Sequence, residues 1–194
     1  TMAAKYHGFL GAGEFDVLVA RSYGDKVIGF GGSRGIGGAV ISADLVVTDT
    51  DDDTYVQFVS NLMYSWTWAD RNMSGALEYY FNDFGGDLAN PDLLARLLRG
   101  ELFASGRHYL AANVLVEMSP LWTLQPTVLC NLEDPAALLQ LVSTYSLGDN
   151  LTLLASLNVP LGPQGTEYRG LELPFDGRYL SRDASLFAQI AWYF

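Results

Sequence analysis

Apolar and polar residues alternate with a period of two along nearly the whole chain. In 38–48, Ala39, Ile41, Ala43, Leu45 and Val47 fall on one side, and Ser42, Asp44 and Thr48 on the other. Successive side chains of an extended chain point to opposite faces, so this pattern reads as strand. It predicts strands near 14–22, 26–35, 38–48, 54–68, 73–82, 107–119, 121–132, 136–147, 150–160 and 184–194, with 3–10 as a further candidate. Tight-turn sequences between them ("YGDK", "ADRN", "SP", "LGDN") make the strands an antiparallel meander. One stretch breaks the period. "NPDLLARLLRGELF", 90–103, has Asn90 to cap, Pro91 for a first helical turn, Gly100 near its end and a stripe of Leu93, Leu94, Leu97 and Leu98. It predicts a helix inside a long connection. No linker or low-complexity stretch interrupts the pattern, so 1–194 reads as one domain.

Each predicted strand has one continuous apolar face and one mixed, polar face. A soluble sandwich alternates too, so a single strand decides nothing. The sorting of turns and aromatics does decide. Let the last strand run toward a side P. Alternating directions then bring Tyr64, Trp66, Trp68, Trp122, Trp192 and Phe194 near that side, together with the short turns "SRGIGG", "ADRN", "SP" and "LGDN". The long connections, about 83–106 and 161–183, fall opposite. Short turns and an aromatic belt on one rim, long loops on the other, is the pattern of a transmembrane β-barrel. The predicted fold is all-β, an antiparallel up-and-down transmembrane barrel of about 10–12 strands, with a short helix in one long extracellular loop.

Composition sharpens this. Charged residues are 17% and hydrophobic ones 49%, where a soluble domain carries about 25% charged. Yet no apolar run reaches the roughly 18 residues of a spanning helix. The net charge of −11 argues against a nucleic-acid partner, which needs a basic face. Cys130 is the single cysteine, which excludes an internal disulfide and a cysteine-based metal site. No signal peptide is visible, and Thr1 reads as the start of a trimmed or truncated chain.

"GGSRGIGGAV", residues 31–40, resembles the glycine-rich phosphate turn of short-chain dehydrogenases. That chemistry needs a helix directly after the glycines, but a strand pattern follows. The family's Tyr–Lys pair, four residues apart, is also missing around Lys5 and Lys26. The glycines instead serve a hairpin in which two strands bend and turn tightly.

The final stretch, "SLFAQIAWYF", is similar to the closing strand of bacterial outer-membrane β-barrel proteins. Phe194 is terminal, and Trp192, Ile190 and Ala188 hold the alternate places before it. The resemblance implies a porin-like protein of the bacterial outer membrane. Its expected partners are the lipid bilayer with its lipopolysaccharide, and the barrel-assembly machinery, which reads the C-terminal strand. Such single-chain barrels have even strand numbers. A strand at 3–10 would make the count odd, so either it does not span or the chain is the C-terminal part of a larger barrel.

The expected pore lining is Asp16, Asp44, Asn61, Glu78, Tyr80, Asn113, Glu117, Gln125, Gln140 and Asn158, with Thr152 and Gln189. Its acidic bias favours cations, while inward Leu138, Val142 and Leu154 narrow the passage. The expected function is passive diffusion of ions or small hydrophilic solutes. The alternatives are a closed structural barrel, an outer-membrane enzyme with a rim site, and a soluble barrel holding an apolar ligand. The enzyme reading has little to stand on: His108 faces outward at the outer rim, Ser105 is too close in sequence, and no Asp partner is evident. Neither catalytic residues nor a cofactor are assigned. "TDTDDDT", 48–54, could offer carboxylates to calcium, but its spacing fits no defined loop and a solvated turn is preferred.

Overall fold

A computed structural model of the chain describes residues 1–86, 91–172, 179–180 and 183–194. The elements are β1 (Met2–Leu10), β2 (Gly13–Ser22), β3 (Asp25–Ile36), β4 (Ala39–Asp49), β5 (Thr54–Trp68), β6 (Arg71–Asn82), α1 (Pro91–Leu98), β7 (His108–Ser119), β8 (Trp122–Asn131), β9 (Ala136–Gly148), β10 (Leu151–Leu161), β11 (Leu171–Glu172), β12 (Tyr179–Leu180) and β13 (Ser185–Trp192). Eleven strands make one antiparallel up-and-down sheet in the order β1-β2-β3-β4-β5-β6-β7-β8-β9-β10-β13, and β11 pairs with β12 separately. The stretch at 3–10 is therefore a full strand. In this order β1 and β13 are the sheet's edges, and among the described residues they are not paired with each other, so the strand order is that of an open meander. Among the described residues no helix is long and apolar enough to cross a membrane.

The chain divides into two compact units, Thr1–Met63 with Glu78–Tyr109, and Tyr64–Leu77 with Leu110–Phe194. Strands β5, β6 and β7 contribute to both.

In the first unit the ladder fixes which residues share a face, because directly paired residues project to the same side. His7 pairs with Asp16, Asp16 with Gly31, and Gly31 with Asp44. Around that row lie Lys5, Glu14, Ser33 and Ser42. On the opposite face Tyr6 pairs with Val17, Val17 with Phe30, and Phe30 with Leu45. That face is apolar through its middle and charged only toward its ends, at Arg34 on one side and at Arg21, Lys26 and Asp49 on the other. Its aromatics stay open: Tyr6 is 65% exposed and Phe30 53%. The buried cluster of this unit lies elsewhere, in Phe84, Leu93 and Leu102 of the β6–β7 connection.

The second unit repeats the division. Gln125, Gln140, Thr144 and Asn158 lie on the polar face. Leu124, Val128, Leu139, Leu141, Leu153, Leu157 and Ile190 lie on the apolar one. Leu138, Val142 and Leu154 take the polar face, as the alternation predicts.

Each unit has its longest connection at one end, and turns of two to four residues occur at both ends. In the first, 11–12 and 37–38 close hairpins at one end, while 23–24, 50–53 and 83–107 connect at the other. In the second, 69–70, 120–121 and 149–150 are the short turns, and 132–135 and 162–184 lie opposite. The glycine-rich segment is explained here. Gly37 and Gly38 have φ of 56° and 87°, the left-handed pair that a two-residue hairpin turn requires.

Three expectations need correction. The closing strand stops at Trp192, so Phe194 lies beyond it and is fully exposed. The helix covers Pro91–Leu98, shorter than 90–103, and Asn90 lies outside the described residues. The leucine stripe is only half used: Leu93 is buried and Leu97 partly buried, while Leu94 and Leu98 are exposed and Arg96 is buried instead.

Candidate functional site

The polar face of the first unit carries a charge network across β1, β2 and β3. The Asp16 carboxylate takes Lys5 Nζ at 3.1 Å and His7 Nδ1 at 3.0 Å. His7 Nε2 stands 4.0 Å from Glu14, and Ser33 Oγ donates to Glu14 at 2.6 Å. Asp16 is thus compensated by a cation. Asp44 is different. Its carboxylate leans over Gly31, where an added Cβ would collide with Oδ1. The missing side chain leaves a cleft of about 150 Å³ lined by Lys5, Asp16, Leu18, Asp44 and Val46.

Farther along the same face the partners are amides. Asn61 Nδ2 donates to Glu78 at 3.4 Å, and Gln57 Nε2 to the Tyr80 hydroxyl at 2.7 Å. The Oδ1 of Asn61 is buried without a hydrogen-bond partner. Tyr80 is half-buried. Phe103 stacks on it at 5.0 Å between centroids, and Tyr109 sits at 6.2 Å, so part of the β6–β7 connection lies on the polar face here.

In the second unit Asn72 Nδ2 donates to Glu117 at 2.8 Å, and Gln140 to Asn158 at 2.7 Å. Ser65, Thr67, Asn72, Ser74 and Glu117 line a polar concavity of about 380 Å³ near the short-turn end. Gln125 stands opposite Val142, Thr152 opposite Ala191 and Gln189 opposite Leu154, all on the polar face. Asn113 is on β7, with its backbone oxygen near Gly75. Glu78 and Glu117 have neutral partners, and a neutral amide leaves the negative charge of a carboxylate uncompensated.

The aromatic residues form a second constellation. Trp66 and Trp68 end β5, Trp122 opens β8 opposite Tyr145, and Trp192 closes β13 opposite Leu151. All four belong to the second unit and stand at its short-turn end. Tyr64 stacks on Trp66 at 6.0 Å.

The remaining candidates have local explanations. His108 Nδ1 lies 2.8 Å from the Tyr79 hydroxyl and its ring lies against Phe81, on the apolar side. The acidic turn is organised by Thr50, whose Oγ1 accepts from the backbone N–H of Asp52 and Asp53. Among the described residues no cluster of His, Cys, Asp or Glu is arranged to hold a metal ion. Sequence reasoning missed Lys5, His7, Glu14 and Ser33. Their alternation within 3–10, 14–22 and 26–35 was the available signal.

No protein-family model matches the chain, and no curated protein matches it significantly.

Proposed function

We propose that the chain forms wall of an outer-membrane pore that passes ions or small hydrophilic solutes by diffusion, with a weak preference for cations. The supporting observation is the two-faced sheet. One face is apolar through its middle and uncovered, and the other carries carboxylates, three of which (Asp44, Glu78 and Glu117) have no cationic partner in the contacts described above. An uncovered apolar face of this extent suits lipid, and a polar face with net negative charge suits hydrated cations. The long connections at one end, and the four tryptophans at the other end of the second unit, support the same reading.

Lipid tolerates no open strand edge, because unpaired N–H and C=O groups cost several kcal/mol each there. Along eleven alternating strands the first and last run in the same direction. All-antiparallel closure in a membrane would take an odd number of further strands, whereas direct closure of β1 on β13 would be a parallel pairing. A closed structural barrel is the second reading, favoured by the Phe103–Tyr80 stack on the polar face. Conductance of the purified protein in a planar bilayer tests the proposal: discrete, salt-dependent openings are expected, and a silent bilayer with inserted, folded protein overturns it.

A further inference from the structure

On the polar face of the second unit, side chains link β5, β6 and β7 in a row. Thr67 Oγ1 donates to Asn72 Oδ1 at 3.5 Å, and Asn72 Nδ2 donates to Glu117 Oε2 at 2.8 Å. The amide is thereby oriented from both sides: its oxygen takes the threonine hydroxyl, and its nitrogen turns to the carboxylate. Asn72 engages only Oε2, so Oε1 of Glu117 has no hydrogen-bond partner among the described residues. Alternation puts Ser65 on the face of Thr67, Ser74 on that of Asn72 and Leu115 on that of Glu117. These three stand two residues farther from the turns at 69–70 and 120–121. The six side chains form most of the wall of the 380 Å³ concavity.

The size and the chemistry of this space limit what it can hold. A water molecule takes about 30 Å³, so the space is far larger than a bare ion and falls in the range of small-molecule sites. The wall is divided. On β7, Glu117 supplies a negative charge, and Leu115 beside it offers an apolar surface. On β5 and β6, Ser65 and Ser74 supply hydroxyls that donate and accept, and the Thr67 oxygen can still accept. A matching ligand carries one positive charge, several hydroxyls and a face of carbon. An ammonium group gives Glu117 a charge-assisted hydrogen bond that a neutral hydroxyl does not equal. A plain alkylammonium satisfies Glu117 but offers nothing to the serines.

We propose that this concavity binds a hydroxylated primary amine, a small organic cation of the amino-sugar class, with its ammonium on Glu117 and its hydroxyls toward Ser65, Thr67 and Ser74. The binding stands on this geometry alone. Its consequence rests on the pore reading: a site on the lumen wall would hold such a solute longer than a neutral sugar.

The test uses the full chain in detergent micelles, with glucosamine hydrochloride, glucose and ethylammonium chloride as probes in mildly acidic buffer, where the amino sugar is cationic. Calorimetry should show glucosamine binding roughly tenfold more tightly than either of the others, since each lacks one half of the match. Glu117→Gln should reduce glucosamine to the level of glucose. Ser65→Ala with Ser74→Ala, which leaves the carboxylate in place, should reduce it to the level of ethylammonium. Equal binding of glucosamine and ethylammonium by the unaltered protein overturns the hydroxylated class. Equal binding of glucosamine and glucose overturns the role of Glu117. In a planar bilayer, glucosamine should reduce single-channel current more than glucose does. Binding in micelles without channels in the bilayer keeps the site and overturns the pore. Channels without binding in micelles keep the pore and overturn the site.

Discussion

Ser143 carries an aliphatic hydroxyl on the otherwise apolar face of β9, and Trp122 donates its indole N–H to it at 2.9 Å. The pair resolves two problems at once, a hydroxyl facing an apolar surround and an indole N–H in need of an acceptor. Trp122→Phe should cost about 1 kcal/mol in urea unfolding from lipid vesicles, because Ser143 loses its partner. The double change Trp122→Phe with Ser143→Ala should recover most of that loss, and an equal cost in the double variant would deny the hydrogen bond a role. Tyr168 offers a second test, in the β10–β13 connection. Burial, then the nearby charges of Glu167 and Cys130, push its phenol well above the ordinary tyrosine value. The folded pKa is raised, so the stability from a neutral phenol is full below the unfolded value of about 10. It is lost as pH rises from there through the folded value. Ultraviolet titration should show one tyrosine ionising last, and Tyr168→Phe should remove that step. None of this was readable in the sequence, because both sites are made by residues brought together across turns or loops.

At the scale of elements the sequence was most informative where the period is two. The predicted strands agree with the eleven of the large sheet within a few residues, while the short β11 and β12 were not predicted; the ladder puts Asp16 and Asp44 on the polar face of the first unit and Gln125, Gln140 and Asn158 on that of the second. A period of two leaves one choice, and an apolar face settles it. The helix was less legible. Its leucine stripe tells which residues share a side but not which side is covered. Arg96 is buried because Asp25 meets it at 2.8 Å, and no local pattern announces a partner so far away in sequence. The turns carry their own prediction. Ala69 and Asp70 both sit in the left-handed region, at φ of 49° and 58°, which costs an L-residue other than glycine about 1–2 kcal/mol. Asn-Gly is the favoured pair for such a hairpin. Ala69→Asn with Asp70→Gly should therefore stabilise the fold by about 1 kcal/mol, read as a higher unfolding midpoint. No gain would mean that the turn's side chains make compensating contacts.

For the whole molecule, the apolar ending and the acidic face can each be tested apart from stability. Phe194 is fully exposed beyond β13, so Phe194→Asp should leave refolding in detergent unchanged yet impair insertion in cells, if the ending is read by an assembly machinery. Normal heat-modifiable protein in cell membranes would count against that role. The proposed pore makes the acidic face testable. Asp44, Glu78 and Glu117 lack cationic partners in the described contacts, whereas Asp16 is held by Lys5 and His7. Charge that is not compensated raises the local concentration of counter-ions in a narrow passage of low dielectric. Changing Asp44 to Asn and both glutamates to Gln should then move the reversal potential under a salt gradient toward zero selectivity. Asp16→Asn should move it less, because that carboxylate is already neutralised. The difference should shrink as salt rises, since the Debye length falls from about 10 Å at 0.1 M to about 3 Å at 1 M. A lumen filled by hydrogen-bonded side chains predicts otherwise: no channel in either protein, and a less stable triple variant because Asn61 and Asn72 lose charged acceptors. An open channel whose reversal potential stays fixed after all three changes would remove the acidic face from the mechanism while leaving the two-faced sheet intact.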